Sequence, residues 1–183
     1  MNKTLVISGH PDYKTSRANR AILDGFHRLV PAADIVYLDA LYPDLVIDVE
    51  TEQKRLAEAD TIVFEFPFWW YSAPSLMRAY WEQVVTYGFA YGPTGTALHG
   101  KRVIFSFTTG GSKEAYSREG YQHYDIEDFL PQFRALSNLC GFASESEVIS
   151  MGMKAPDPAD HEAVAAFEAK CAAHAAKLAE AVK

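Results

Sequence analysis

TIVFEFPFWWYSAP, residues 61–74, changes character at its midpoint. Apart from Glu65, its first six residues are apolar or β-branched, as expected of a strand covered on both faces. The second half sets two tryptophans and a tyrosine between Pro67 and Pro74. Proline has no N–H and does not extend a central strand, so PFWWYSAP is expected to form a loop at the strand's end. Large rings on such a loop need cover, whether from the core, a second copy of the chain or a flat ligand.

The pattern around this stretch sets the fold class. TLVIS (4–8) is another short buried strand; the polar loop GHPDYKT follows it, then a helical segment from Ser16, its expected N-cap, through Val30. DIVYLD (34–39) is expected to be a strand and TEQKRLAEAD (51–60) a helix leading into TIVFEF. APSLMRAYWEQVVTYG (73–88) has helical character with Pro74 in its first turn. KRVIFSFT (101–108) is a strand ending at TTGGS, and DIEDFLPQFRALSNLCG (125–141) a helix with an irregularity at Pro131 and a glycine stop. SEVISM (146–151) and a terminal alanine-rich helix complete the chain. Strands alternating with helices predict a parallel sheet. The expected class is α/β, a flavodoxin-like doubly wound sheet of five parallel strands ordered 2-1-3-4-5, with helices on both faces. Residues 1–183 are expected to form a single domain.

Composition removes several function classes. A net charge of −7 argues against a general nucleic-acid or anionic-membrane surface. Cys140 and Cys171 have no CxxC spacing, and the six histidines form no HxH or HExxH pattern, so no metal site is expected. No segment approaches the roughly 20 apolar residues of a membrane span, and MNKTLVISGHP is too short in apolar residues for a signal peptide. A cytoplasmic protein is expected.

In a doubly wound sheet, ligands bind beyond the carboxyl ends of the strands at the switch point. This directs attention to the loops after the first, third and fourth strands. SGHPDYKTSRAN enters a helix whose free amides suit an anion, with Ser16 and Asn19 as added donors and Lys14 and Arg17 as charge. It is neither a GxGxxG fingerprint nor a Walker loop, and Ser16 could serve only as a cap. Trp69, Trp70 and Tyr71 could wall a flat ligand or fill an interface; Trp81, on the next helix, is expected in packing. TTGGS permits close backbone approach, or is simply a flexible turn. Tyr116 and His123 are candidates for holding a proton near a developing oxygen charge.

HP after the first strand, SRAN at the helix start, FPFWWYSAPSLM after the third strand and TTGGS after the fourth together resemble the flavodoxin-like NAD(P)H:quinone oxidoreductases, the family of DT-diaphorase. YPDLVID (42–48), FAYG (89–92) and GTALHGK (95–101) fit the same pattern. The compact length is most similar to the bacterial branch that serves as ancillary subunits of glutathione-gated potassium-efflux systems. The resemblance implies a bound flavin and a homodimer with active sites at the interface. It implies hydride transfer in a two-electron ping-pong cycle, from NADH or NADPH to flavin N5 and then to a quinone. It assigns His10, Ser16, Arg17, Ala18 and Asn19 to the flavin phosphate, and Pro67, Phe68, Trp69 and Trp70 to the isoalloxazine. Thr108, Thr109, Gly110 and Gly111 fall along the ring's polar edge, Trp70 and Tyr71 at the substrate slot, and Tyr116 with His123 in catalysis, the histidine after a one-residue shift. FMN is expected over FAD, because so short a chain leaves little protein to enclose an adenosine. Two other roles compatible with the fold are an electron-carrier flavodoxin and a regulatory subunit on a membrane transporter, which would hold the protein at the inner face of the membrane.

Overall fold

The computed structural model describes residues 2–183. Five strands run in chain order: β1 (Thr4–Ser8), β2 (Asp34–Tyr37), β3 (Thr61–Pro67), β4 (Arg102–Thr108) and β5 (Ser144–Ser150). The helices are α1 (Ala18–Leu29), α2 (Leu38–Leu41), α3 (Val49–Glu58), α4 (Ser75–Val84), α5 (Pro131–Cys140) and α6 (His161–Ala181), with a single 3-10 turn at Ile126–Phe129 before α5. All strand pairs are parallel and the order is β2-β1-β3-β4-β5, as the alternating pattern predicts.

Strand alternation divides the apolar residues between two faces. Leu5, Ile7, Ile62, Phe64, Phe66, Val103, Phe105 and Phe107 pack with Leu56 of α3, Met77 and Tyr80 of α4, and Phe133 of α5. Val6, Val63, Ile104 and Val148 point the other way, onto Leu23 and Phe26 of α1 and Ala175 and Leu178 of α6. On the first face Phe105 stacks on Phe133 at 5.1 Å, and Trp81 meets Phe64, Phe66 and Phe133 edge-on, so Trp81 is a packing residue. Offset and edge-to-face ring pairs add about 0.5–1.5 kcal/mol each beyond area burial. Among the described residues, no helix is long and apolar enough to cross a membrane.

Several details differ from the sequence expectations: β5 spans Ser144–Ser150 rather than 146–151, α3 spans Val49–Glu58 rather than 51–60, and Ile126–Phe129 is a separate 3-10 turn. The second strand ends at Tyr37, not residue 39, because Leu38–Leu41 turns into α2 and buries Leu38. The helix from the 73–88 segment is shorter, ending at Val84. Pro67 is the last residue of central strand β3, in register with Thr108. The missing N–H leaves no gap there. Glu65 presents its carbonyl to Gly9 and Phe68 donates its N–H to Thr108, so alternation turns the Pro67 nitrogen toward the β1 side, beyond the end of β1. Pro131 is the first residue of α5, where its lost N–H is one of the helix's orphans, and Gly141 ends that helix at φ 67°.

Candidate functional site

The loops after β1, β3 and β4 converge on one cleft of about 570 Å³ at the carboxyl edge of the sheet. Its lining includes His10, Ser16, Asn19, Pro67, Trp69 and Gly110. Thr15, Met153 and Ala155 also line it, the last two from the loop after β5. The volume is of the size that small-molecule sites occupy.

At the α1 end, Ser16 Oγ accepts from Asn19 N at 3.2 Å, the bond expected of a cap, although the backbone places the helix boundary at Arg17. The Arg17 and Ala18 amides have no acceptor among the described residues. They lie at the positive end of a twelve-residue helix, an arrangement suited to an anion. Arg17 also lines the cleft, and one nitrogen of its guanidinium is already bonded. The guanidinium donates to the Pro156 carbonyl at 2.6 Å and lies over the Phe167 ring, pinning the loop after β5. The β1–α1 loop is braced: Asp12 N donates to His10 Nδ1, Thr15 N to Asp12, and Tyr13 N to Asp39 of α2. His10 is buried; burial lowers its pKa, partly offset by Asp39 and Asp12. With Nδ1 accepting, the neutral ring carries its proton on Nε2.

The β3 loop is a two-residue hairpin. Trp69 and Ser72 exchange both backbone bonds at 3.1 Å, and Trp70 and Tyr71 between them stand at φ 51° and 63°. Two consecutive positive φ values define the I′ turn, which favours Asn-Gly; an aromatic pair there is held at a cost. Trp69 faces the cleft and meets His10 edge-on at 5.4 Å. Trp70 is 92% exposed. Tyr71 stacks on Phe129 at 5.4 Å and donates to Gln122 at 2.9 Å, tying this loop to the segment after β4. Phe68 does not line the cleft: its ring sits among Phe107, Phe129 and Phe133, and its N–H is spent on Thr108.

The β4 loop is strapped to β5. Thr109 N donates to the Ser150 carbonyl, Met153 N to Thr109, and Gly152 N to Gly111. The Gly110 and Gly111 amides stay without acceptors among the described residues. Gly111 carries Tyr116 against its Cα, where a Cβ would come within 2.9 Å of the ring. Tyr116 is largely buried, meets Phe68 and Phe129 edge-on, and has its pKa raised by burial, with Tyr71 and Tyr121 adding to it. His123 is exposed at φ 59°. The two candidates line no common cavity, yet the bond from Gln122 N to Ala115 O brings their neighbours together. No group of three or more potential metal ligands is assembled among the described residues.

Sequence reasoning passed over Glu65 as a participant. It is fully buried on β3, beneath the α1 end of the cleft, where Asn19 Nδ2 donates to one carboxyl oxygen and Ser8 Oγ lies 3.5 Å from the other. Burial pushes its pKa up to about 8, against the opposing pull of these two bonds. The available signal was a lone carboxyl inside an otherwise apolar strand. Met153 and Ala155 left no signal, since only the tertiary fold brings the β5 loop across.

A doubly wound parallel sheet, with its cleft at the β1/β3 switch point and helix amides facing that cleft, defines a flavodoxin-like protein. The chain belongs to the Flavodoxin_2 family, a flavodoxin-like fold, which it matches over residues 2–175. It is similar to general stress protein 14 of Bacillus subtilis (strain 168), 42% identical over 141 residues, 76% of this chain and 79% of that protein. The uncharacterized NAD(P)H oxidoreductase YrkL of the same organism is 38% identical over the same shares. A solved structure described as a thermophilic tryptophan halogenase from Streptomycin violaceusniger is 36% identical, with a TM-score of 0.81 over 93% of this chain and 96% of its own. General stress protein 14 of Treponema denticola, solved in complex with FMN, is 24% identical, with a TM-score of 0.84 over 99% of both chains. At that identity the likeness is one of fold.

Proposed function

We propose that the chain is an FMN-dependent NAD(P)H oxidoreductase that passes two electrons to a quinone or similar small electron acceptor. One observation carries the reading: two sets of unsatisfied amides, Arg17–Ala18 and Gly110, open onto a single cleft at the switch point that Trp69 walls. The first set suits a phosphate and the second the polar edge of a flat heterocycle. The NAD(P)H oxidoreductase name of the 38% identical relative and the FMN of the solved neighbour support the same reading.

In this reading Ser16, the amides of residues 17–18 and the Arg17 side chain, which also bonds the Pro156 carbonyl, hold the phosphate. Pro67, Trp69 and the loop Thr108–Gly111 border the ring. FMN, when bound, supplies the hydride-accepting and hydride-donating chemistry. Trp70 and Tyr71 form one wall of the substrate slot, and a second copy of the chain, in a homodimer, covers the exposed Trp70 ring. Tyr116 holds its proton well above neutral pH because it is buried, so its hydroxyl remains a donor to a developing oxygen charge. His123, exposed on the same segment, is assigned as its partner in catalysis.

The test is the absorbance spectrum of the purified protein, identification of the released flavin, and steady-state assays with NADH or NADPH and a quinone. A colourless protein that cannot be reconstituted with FMN would overturn the reading. The same preparation, assayed with tryptophan and a halide, tests the activity named for the 36% identical structure. Co-purification with a potassium-efflux transporter tests the ancillary role.

A further inference from the structure

Ser8, Glu65 and Ser106 stand in register across β1, β3 and β4, forming a fully buried polar row in the middle of the sheet. Asn19 of α1 bonds its central member, Glu65; His174 of α6 closes the β4 end, bonded to Ser106 at 2.9 Å and to Ser150 at 2.8 Å. Among the described residues, no lysine, arginine or histidine forms an ion pair with Glu65, and its only partners are an amide and a hydroxyl. A carboxyl at 0% exposure without a cation is far less costly as the neutral acid than as the anion. Neutral, it accepts from Asn19 on one oxygen and can donate its own O–H to Ser8 through the other.

Asn19 is the link to the cleft. Its backbone N–H bonds Ser16 Oγ, its side chain bonds Glu65, and both Asn19 and Ser16 line the pocket. The first turn of α1 is therefore fastened to the sheet through this one carboxyl. We propose that Glu65 is a positioning residue for the cofactor phosphate: as a neutral acid it anchors Asn19 and the α1 amides, and when it loses its proton to solvent the phosphate is released. The inference rests on the flavin reading above. The physical cause is that an anion on Glu65 would lie one side chain beneath an anion pocket, where its repulsion of the phosphate is felt at short range through a poorly solvated sheet.

The surroundings do not supply a competing titration in the same range. Tyr13, on the loop after β1, is held protonated by burial, and its hydroxyl pKa lies far above the range concerned. His174, behind Ser106, is pushed down to about 4 by burial and stays neutral. His10, on the cleft loop, is lowered by burial, with Asp39 and Asp12 beside it. Glu65 itself is raised to about 8.

The experiment measures the FMN dissociation constant by flavin fluorescence quenching between about pH 7 and about pH 9.5, for the wild type and Glu65→Gln. The glutamine keeps the acceptor for Asn19 and a donor for Ser8 but cannot ionise. The wild type should weaken at least about tenfold across this range, while E65Q binds as tightly as the wild type at the lower pH and stays flat. Infrared spectra of the wild type without FMN should show a protonated-acid carbonyl band that titrates away near the same pH, a readout that needs no variant. Parallel FMN curves for the two proteins, or no such band, would overturn the inference while leaving the flavin reading intact. Failure of the wild type to bind FMN at about pH 7 would overturn both.

Discussion

Replacing Glu65 with glutamine should make folding stability less dependent on pH, and the size of the change follows from the burial of one carboxyl. In the unfolded chain Glu65 ionises near its ordinary value of 4.5; in the folded protein burial holds it at about 8. Between these values the folded state keeps a proton that the unfolded state has lost, so wild-type stability falls as pH rises. Below the window both states are protonated, and above it both are ionised, so the effect is flat at either side. The interval from 4.5 to pH 7, at about 1.36 kcal/mol per pH unit, amounts to roughly 3 kcal/mol. Because the group is fully buried, no discount for solvent screening applies. E65Q should therefore gain on the wild type by a few kcal/mol between about pH 5 and 7, or about 6–12 °C in Tm for a chain of this size. Urea denaturation of the flavin-free proteins at a series of pH values, followed by tryptophan fluorescence, measures it. Parallel pH–stability curves would refute the reasoning, since Glu65 would then ionise at the same pH folded and unfolded.

His174 should act in the opposite direction: burial lowers its pKa to about 4, so the unfolded imidazole takes up a proton first and stability is lost as pH falls from 6.5 towards 4. His174→Gln should flatten that acid limb in the same urea series. Phe133→Ala, which removes a buried ring packed on Phe66, Phe105, Phe107 and Trp81, should cost about 3–5 kcal/mol of unfolding free energy. Trp70→Asn should raise stability by on the order of 1 kcal/mol, because it relieves a positive φ and gives up an exposed ring, yet it should impair acceptor turnover if Trp70 walls the slot. Tyr116→Phe should retain flavin and lose turnover; an unchanged steady-state rate at saturating quinone would remove the tyrosine from the proton-donor role.

Much of the architecture was legible because its determinants are local. TLVIS, TIVFEF and KRVIFSFT are too apolar for an exposed strand, and the helices between them impose parallel pairing, from which the 2-1-3-4-5 order and the position of the cleft follow. The three loops named from that rule do meet in one cleft. What stayed hidden depended on partners distant in sequence. Arg17 read as a phosphate cation; that its side chain also bonds a carbonyl 139 residues away, and so ties the loop after β5 to the cleft, was not legible. Phe68 and Trp70 are separated by one residue, yet one is sealed among core rings and the other stands in solvent, because the hairpin at 69–72 reverses the chain between them. Glu65 looked like an interruption in a strand. Tertiary packing removed it from water, set it under Asn19 and so gave an ordinary carboxyl an unusual proton affinity; the sequence determined the residue, and desolvation, which exists only once the sheet is covered, determined its chemistry.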